Sequence, residues 1–216
     1  MSDQTPTAIQ NRAARRAPLL IAALLAAGLS SACAPLILGG AMVGGGFVLT
    51  DRRTSGTQLE DQNIELKSGS RLREAVADRG NISITSYNRM VLISGEVPTE
   101  ADRVAAEQAV AKVENVRGTF NELALTGNSS LTSRSNDAIL LSKIKARFID
   151  AADLQSNAIK VVVERGNAYL MGRVTEREAS RATELTRGVG GVLKVIRLFE
   201  LVSEAELAKM QPAEKK

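Results

Sequence analysis

The sequence predicts an α+β protein that contains two similar modules, each a three-stranded sheet covered by two helices, behind an N-terminal signal segment. Three observations predict this organisation. The segment from Ile82 to Gly95 (ISITSYNRMVLISG) aligns with the segment from Ile159 to Gly172 (IKVVVERGNAYLMG) at a spacing of 77 residues. Apolar residues recur with the spacing of a helix or with the alternation of a strand, and these patterns follow one another in the same order, αββαβ, in both copies. The only cysteine, Cys33, follows a short apolar run.

The first 32 residues have the three-part plan of an export signal. Arginines precede an apolar run over residues 17–29, and the small residues 30–32 then lead to Cys33. The run is shorter than the about 20 residues that a membrane-spanning helix needs. An unpaired cysteine in an exported protein is prone to oxidation unless it is chemically consumed. We therefore expect Cys33 to be a lipidation site.

The segment LSSAC, which ends at Cys33, resembles the lipobox of bacterial lipoproteins, although Ser30 stands where leucine is usual. The resemblance implies cleavage before Cys33 and attachment of fatty acids such as palmitate, which would anchor the chain permanently. Ala34, where aspartate would signal retention, implies the outer membrane with the protein facing the periplasm. A plain secretory signal cut within the S-S-A run stays open, and a twin-arginine signal at Arg15 and Arg16 is a weaker alternative.

Residues 33–58 are expected to form a tether between the acylated cysteine and the first module. The segment PLILGGAMVGGGFVLT, residues 35–50, is apolar but contains five glycines, so it favours neither a stable helix nor a strand. A membrane-spanning segment is the competing interpretation, although the run is too short for the usual bilayer thickness.

The first module is assigned to residues 59–126 and the second to residues 136–202, with a polar linker at 127–135 and a charged tail at 203–216. In the second module, Asn136 is predicted to cap a helix because apolar residues recur every four positions after it. Those residues are Leu140, Ile144 and Phe148.

The rest of the second module is predicted from its turns. The sequence ERGN, residues 164–167, separates an alternating strand that starts at Ile159 from a second strand at residues 168–171. Thr175 opens another helix with a capping-box pattern, TERE. A last alternating strand covers residues 193–202.

The composition excludes several classes of function. The chain has no histidine and no tryptophan, and its aromatic content is 3%. With its one cysteine assigned to lipidation, it cannot form a zinc site, a Cys-His dyad or a Ser-His-Asp triad, so we predict no enzyme and no cofactor. Removal of residues 1–32 deletes three arginines and Asp3 and lowers the net charge from +4 to +2. Such a balance indicates no nucleic-acid partner, and no small-molecule substrate is predicted.

The repeated αββαβ unit, the glycines at Gly95 and Gly172, and the segments GEVPTEADR and GRVTEREASR closely resemble the BON domain. Two such domains behind a lipobox and a glycine-rich tether resemble the dual-BON outer-membrane lipoproteins of the DolP type. The resemblance covers nearly all of the chain after Cys33. It implies a non-enzymatic protein that binds anionic phospholipid through its second BON domain and helps to maintain outer-membrane integrity.

Five residues of the helix after Asn136 are candidate phospholipid contacts: Ile139, Lys143, Ala146, Arg147 and Ile149. At about 100° per residue, both isoleucines point away from the predicted core side and lie beside basic residues, Lys145 among them. Apolar side chains next to cations are typical of a helix at a membrane interface.

Two other interpretations of these residues stay open. Single exposed apolar residues are common on soluble proteins, and the isoleucines could instead pack against the other module. They could also dock an envelope protein partner, such as an assembly machine or a peptidoglycan-remodelling enzyme. The opening helix of the first module, around residues 64–77, shows no comparable apolar and basic edge, so that module is expected to brace the second.

Gly95 and Gly172 are both predicted to relieve tight turns between a strand and the helix that follows it.

Overall fold

A computed structural model describes residues 51–210, which all lie within one compact unit of the chain. The predicted signal at residues 1–32, the acylation of Cys33, the tether up to residue 50 and the end of the tail from residue 211 lie outside the described residues.

The first module has the predicted order αββαβ. Its elements are α1 (Ser55–Ala75), β1 (Asn81–Tyr87), β2 (Met90–Val97), α2 (Glu100–Ala111) and β3 (Gly118–Leu125). The second module repeats this order and adds a short 3-10 turn and a C-terminal helix. Its elements are α3 (Leu131–Asp150), the turn Ser156–Ala158, β4 (Ile159–Glu164), β5 (Asn167–Val174), α4 (Glu176–Arg187), β6 (Lys194–Leu201) and α5 (Glu204–Met210). The predicted fold class is confirmed.

The two sheets have the same topology. In each, the second strand is central, pairs antiparallel with the first strand and pairs parallel with the third. Two-residue turns close the hairpins, and both residues of each turn have positive φ: 50° and 65° at Asn88 and Arg89, 53° and 74° at Arg165 and Gly166. Such turns match the twist of the strands that they join. The parallel pairing needs a crossover, which α2 and α4 provide.

A buried aspartate on the opening helix holds each hairpin turn. Asp61 of α1 accepts hydrogen bonds from the backbone N–H groups of Asn88 and Arg89, at 2.8 and 2.7 Å. Asp137 of α3 accepts equivalent bonds from the backbone N–H groups of Arg165 and Gly166, at 2.9 and 2.8 Å. These bonds satisfy N–H groups that the tight turn leaves unpaired.

Each sheet packs one face against its own two helices. In the first module, Ile64 of α1 and Val110 of α2 meet Val91 and Ile93 of the central strand, and other apolar residues complete this core. In the second, the predicted helix residues Leu140, Ile144 and Phe148 are 2% exposed or less and form the core with Leu170 and its neighbours.

The other faces of the two sheets pack against each other. Tyr87 and Leu92 of the first sheet form one buried cluster with Tyr169 and Met171 of the second. The strand alternation accounts for this contact, because Leu92 points opposite to Val91 and Ile93 along β2. Residues 51–210 therefore form four layers in the order helices, sheet, sheet and helices, and both helix pairs lie on the outside of these layers.

Two helices begin earlier than predicted. Ser130, not Asn136, caps α3, since its hydroxyl accepts a hydrogen bond from the Ser133 N–H at 3.1 Å, so residues 131–135 of the predicted linker are helical. Thr54 caps α1 in the same way, and residues 55–58 of the predicted tether belong to that helix. The described part of the tail forms α5, whose Leu207 is buried.

The predicted role of the two glycines is also wrong. Gly95 and Gly172 lie within β2 and β5, opposite Ile82 and Ile159, and not in the turns that follow. A Cβ atom at Gly95 would collide with the carbonyl oxygen of Asn81, and one at Gly172 would lie 2.5 Å from that of Ala158. Gly95 also has φ of 115°, a conformation that other residues rarely adopt. Close approach of the neighbouring strand therefore requires glycine.

We expect Gly95→Ala to lower the free energy of unfolding by at least about 2 kcal/mol, because it combines a strained φ with a collision against fixed backbone. Gly127→Ala is the matched control, since no atom lies within 4 Å of the added Cβ there. Urea unfolding followed by circular dichroism measures both. Equal midpoints for the two variants would contradict this account of Gly95.

Candidate functional site

The side of α3 that points away from its core is largely apolar or small. Ile139 and Ile149 each lie five residues from the buried Ile144, so they sit about 140° from it on either side of the helix. Their exposed fractions are 51% and 73%. We call this surface the outer face of α3; its residues are Leu131, Ala138, Ile139, Ser142, Ala146 and Ile149.

Two lysines flank the outer face. Lys143 and Lys145 are the immediate neighbours of Ile144 in the sequence, so they project about 100° from it on opposite sides. Both are exposed, and neither takes part in an ion pair with any residue that the structure describes. Their charges are therefore available to a partner.

Arg147 does not belong to the outer face. Its guanidinium extends over the end of α4, where Nη1 would lie 2.8 Å from a Cβ added at Gly188. Gly188 is the C-cap of α4, and a cation there is favoured by the helix dipole. The structure thus brings four of the five predicted contact residues, Ile139, Lys143, Ala146 and Ile149, to one side of α3 and turns Arg147 towards α4.

Helix α1 also exposes apolar side chains, contrary to expectation. Leu59 and Leu66 are 59% and 72% exposed. The difference between the two helices is in charge: the sequence of α1 contains four acidic and three basic residues, whereas that of α3 contains two acidic and four basic. Lys67 beside Leu66 is also paired with Glu114 at 3.2 Å. Arg73, seven residues after Leu66, has no ion-pair partner among the described residues and donates a hydrogen bond to Oγ of Ser70, so the two helices differ in overall charge rather than in whether they carry an unpaired cation.

The chain before α1 is fixed to the second module. The guanidinium of Arg52 donates two hydrogen bonds to the carboxylate of Glu178, at 2.6 and 2.8 Å, and further bonds to the carbonyl oxygen of Arg173 and to Oε1 of Gln155. The side chains of Arg52 and Glu178 are 3% and 5% exposed. Glu178 also completes the predicted capping box with Thr175 at the start of α4.

The next residue, Arg53, fixes the same segment to the first module. It forms ion pairs with Asp51 and Asp61, at 2.7 and 2.8 Å, and its guanidinium lies 4.2 Å from the centre of the Tyr87 ring. Because Gln155 follows α3 closely in sequence, these contacts hold the chain before α1 near the C-terminal end of α3.

Comparison with known proteins agrees with this architecture. The BON domain matches residues 60–127 and 136–203. The chain belongs to the BON-domain family. It is 31% identical to the outer membrane lipoprotein DolP of Haemophilus influenzae over 170 residues, which is 78% of this chain and 88% of the relative. The chain therefore has the dual-BON organisation of the DolP type.

Two further relatives cover most of the same region. The 21 kDa hemolysin of Actinobacillus pleuropneumoniae is 28% identical over 154 residues, 70% of this chain and 79% of the relative. The osmotically-inducible protein Y of Escherichia coli is 26% identical over 148 residues, 65% of this chain and 72% of the relative.

Within residues 51–210, no helix has both the length and the apolar content needed to cross a bilayer. The same stretch contains no group of three or more histidine, cysteine, aspartate or glutamate side chains that could hold a metal ion.

Leu131, which is 79% exposed, is the large apolar member of the outer face that sequence reasoning missed; Ala138 and Ser142 were not predicted either. Leu131 falls in the predicted linker because two capping residues, Ser130 and Asn136, compete for the helix start. A helix begun at Ser130 would have placed Leu131 on the same side as Ile149, since the two are 18 residues, five full turns, apart.

The ion pair between Arg52, before α1, and Glu178, in the first turn of α4, sets a pH dependence. Burial opposes ionisation of Glu178, but hydrogen bonds from Arg52 and from the Thr175 backbone outweigh it and hold the pKa of Glu178 below its ordinary 4.5. Burial likewise opposes ionisation of Asp61, yet hydrogen bonds from Ser86, Arg89 and Arg53 lower its pKa. A lowered pKa stabilises the fold above the ordinary value, and this stabilisation is lost as the pH falls below it.

We expect Arg52→Met to lower the free energy of unfolding by about 3 kcal/mol at pH 7, because it leaves the Glu178 carboxylate buried without its cation. The difference from the parent should shrink as the pH falls, because Glu178, once buried without its cation, takes up a proton more readily than in the parent. Urea unfolding from pH 7 to pH 3 measures it. Arg71→Met, which removes an exposed i,i+3 ion pair with Glu74, is the control and should change little. A difference that stays constant with pH would contradict the assignment.

Proposed function

We propose that this protein is a lipid-anchored BON-domain protein of the outer membrane, facing the periplasm, that binds anionic phospholipid and helps to maintain the integrity of that membrane. The sequence before and at Cys33 supports the anchor, and the likeness to a relative named as an outer membrane lipoprotein supports the location. The absence of histidine and the predicted acylation of the only cysteine support a non-enzymatic role.

The observation that carries the lipid-binding proposal is the outer face of α3. Its isoleucines are exposed, and the lysines beside them have no ion-pair partner among the described residues. Burial of one isoleucine side chain contributes about 1.5–3 kcal/mol, and a cation near anionic lipid about 1 kcal/mol. Such a contact is weak and reversible by itself. Beside a permanent acyl anchor, it is sufficient to orient the folded part on the membrane.

The attachment of the chain supports the same arrangement. Arg52 and Arg53 hold the segment that follows the predicted tether near the C-terminal end of α3. An anchor that leads to this point would keep the outer face of α3 close to the bilayer and raise its effective concentration there.

We expect a fragment of residues 51–216 to co-sediment with vesicles that contain phosphatidylglycerol and not with vesicles of phosphatidylcholine. Ile139→Asp and Lys143→Glu should each weaken this binding about tenfold, because the first places a charge in the lipid boundary and the second repels the lipid phosphate. Leu66→Asp is the matched control, since it changes an apolar residue on α1 that is even more exposed than Ile139, 72% against 51%. An equal loss for Leu66→Asp and Ile139→Asp, or no binding by the parent fragment, would contradict the proposal.

Cys33→Ser tests the anchor separately. In cells, we expect the parent protein in the outer-membrane fraction. The variant should be largely in the soluble periplasmic fraction, because the outer face of α3 alone gives only weak attachment. Mass spectrometry of the N-terminal peptide should show acyl chains on Cys33 of the parent. A plain secretory signal would leave Cys33 without acyl chains and the two distributions alike.

A second candidate function is docking of an envelope protein partner. The exposed leucines of α1, Leu59 and Leu66, favour it because they lie seven residues apart, on one side of the helix. This role predicts that Leu66→Asp impairs outer-membrane integrity in cells while vesicle binding is unchanged. Sensitivity to large antibiotics that the intact outer membrane excludes measures this integrity.

A further inference from the structure

A groove of about 340 Å³ runs along the flank of α3 where the two BON domains meet. The first domain and the segment before it contribute Tyr87 and Arg53, and Lys145, Ile149 and Lys160 are among the residues that the second contributes. The volume is at the lower end of the about 300–1,000 Å³ that small-molecule sites occupy. It suits a polar headgroup rather than a whole lipid.

The lining of the groove is basic. It contains one arginine and two lysines and no carboxylate. Four other cavities within the described residues, of about 200–480 Å³, each have at least one aspartate or glutamate in their lining. The groove is therefore the cavity of these five that is best suited to an anion.

The three cations differ in how strongly they are neutralised. Arg53 is held by Asp51 and Asp61 and lies over Tyr87, so its charge is largely compensated. Lys160 donates to Oε1 of Glu65 at 3.0 Å and to the carbonyl oxygen of Ser86 at 3.2 Å. Both partners of the Lys160–Glu65 pair are about one-third exposed, so the pair is weak.

Lys145 carries the charge that no described residue neutralises. It lies on the groove side of α3, one turn of the helix before Ile149. The rest of the lining combines the apolar side chains of Phe148, Ile159 and Val161 with the polar residues Ser156 and Asn157. An anionic group beside Lys145 and Lys160 would thus sit next to hydrocarbon, the combination that an amphiphile presents.

We propose that this groove binds the phosphate headgroup of a single anionic phospholipid. Lys145 and Lys160 contact the phosphate, and the glycerol end of the acyl chains lies against Ile149. This inference rests on the proposed function, because Ile149 belongs both to the outer face of α3 and to the groove. It adds a saturable site to a surface contact, and it places that site at the domain junction, since Lys160 also bonds to the first domain.

The test is a titration of the fragment of residues 51–216, followed by amide shifts in nitrogen-15 NMR spectra. The probes are dihexanoyl phosphatidylglycerol below its micelle concentration, dihexanoyl phosphatidylcholine and inorganic phosphate. We expect phosphatidylglycerol alone to give saturable shifts at residues 156–161. Lys160→Gln should weaken this binding about fivefold. Ser156→Phe, which fills the groove without altering the outer face, should abolish it.

Lys67→Gln is the matched control for Lys160→Gln, because it also removes a lysine that is paired with one glutamate, Glu114, but that lies outside the groove. Shifts confined to the outer face of α3, or unchanged binding by Ser156→Phe, would overturn the groove assignment. Equal binding of inorganic phosphate would assign the groove to a free anion instead. If the fragment binds vesicles of phosphatidylglycerol but the amide shifts at residues 156–161 do not change, this inference fails while the proposed function stands. If these shifts change but the fragment does not bind vesicles, the proposed function fails.

Discussion

The packing of the two sheets against each other determines which surfaces this protein presents. Tyr87 and Leu92 from one sheet and Tyr169 and Met171 from the other bury the faces that their own helices do not cover. Both helix pairs must then face outwards, and α3 exposes its outer face as a consequence. A single BON domain would leave one sheet face in water, so the tandem is the unit in which both faces of each sheet are covered.

Polar contacts around this apolar junction fix how the domains are aligned. The buried pair of Arg52 and Glu178 is the strongest of them by geometry, and Lys160–Glu65 and Arg165–Glu96 add contacts at other edges. Apolar burial supplies most of the stabilisation, because the desolvation of a buried ion pair offsets much of its attraction. The pair instead penalises other alignments, since each of them would leave a charge buried alone. The groove and the outer face of α3 both depend on that alignment.

The sequence predicted the features that depend on short stretches of chain. The order αββαβ follows from the spacing of apolar residues within short segments. The predicted capping box at Thr175 and Glu178 is confirmed, and it could be predicted because its two residues are only three positions apart. Contacts between distant segments could not be predicted this way: Arg52 and Glu178 are 126 residues apart. One signal of the sheet contact was present, since β2 begins with the continuous apolar run MVLI, which is typical of a strand buried on both faces. The groove combines residues from both domains, so no single segment predicts it.

We propose that the outer face of α3, and not the exposed side of α1, rests on the bilayer. The most direct measurement is the depth of spin labels by electron paramagnetic resonance, on the acylated chain in vesicles that contain phosphatidylglycerol. Ser142→Cys places a label on the outer face of α3, and Ser70→Cys places one on the exposed side of α1. The account predicts that the label at position 142 lies at headgroup depth while that at position 70 stays in water. Two labels in water, or a deeper label at position 70, would contradict it.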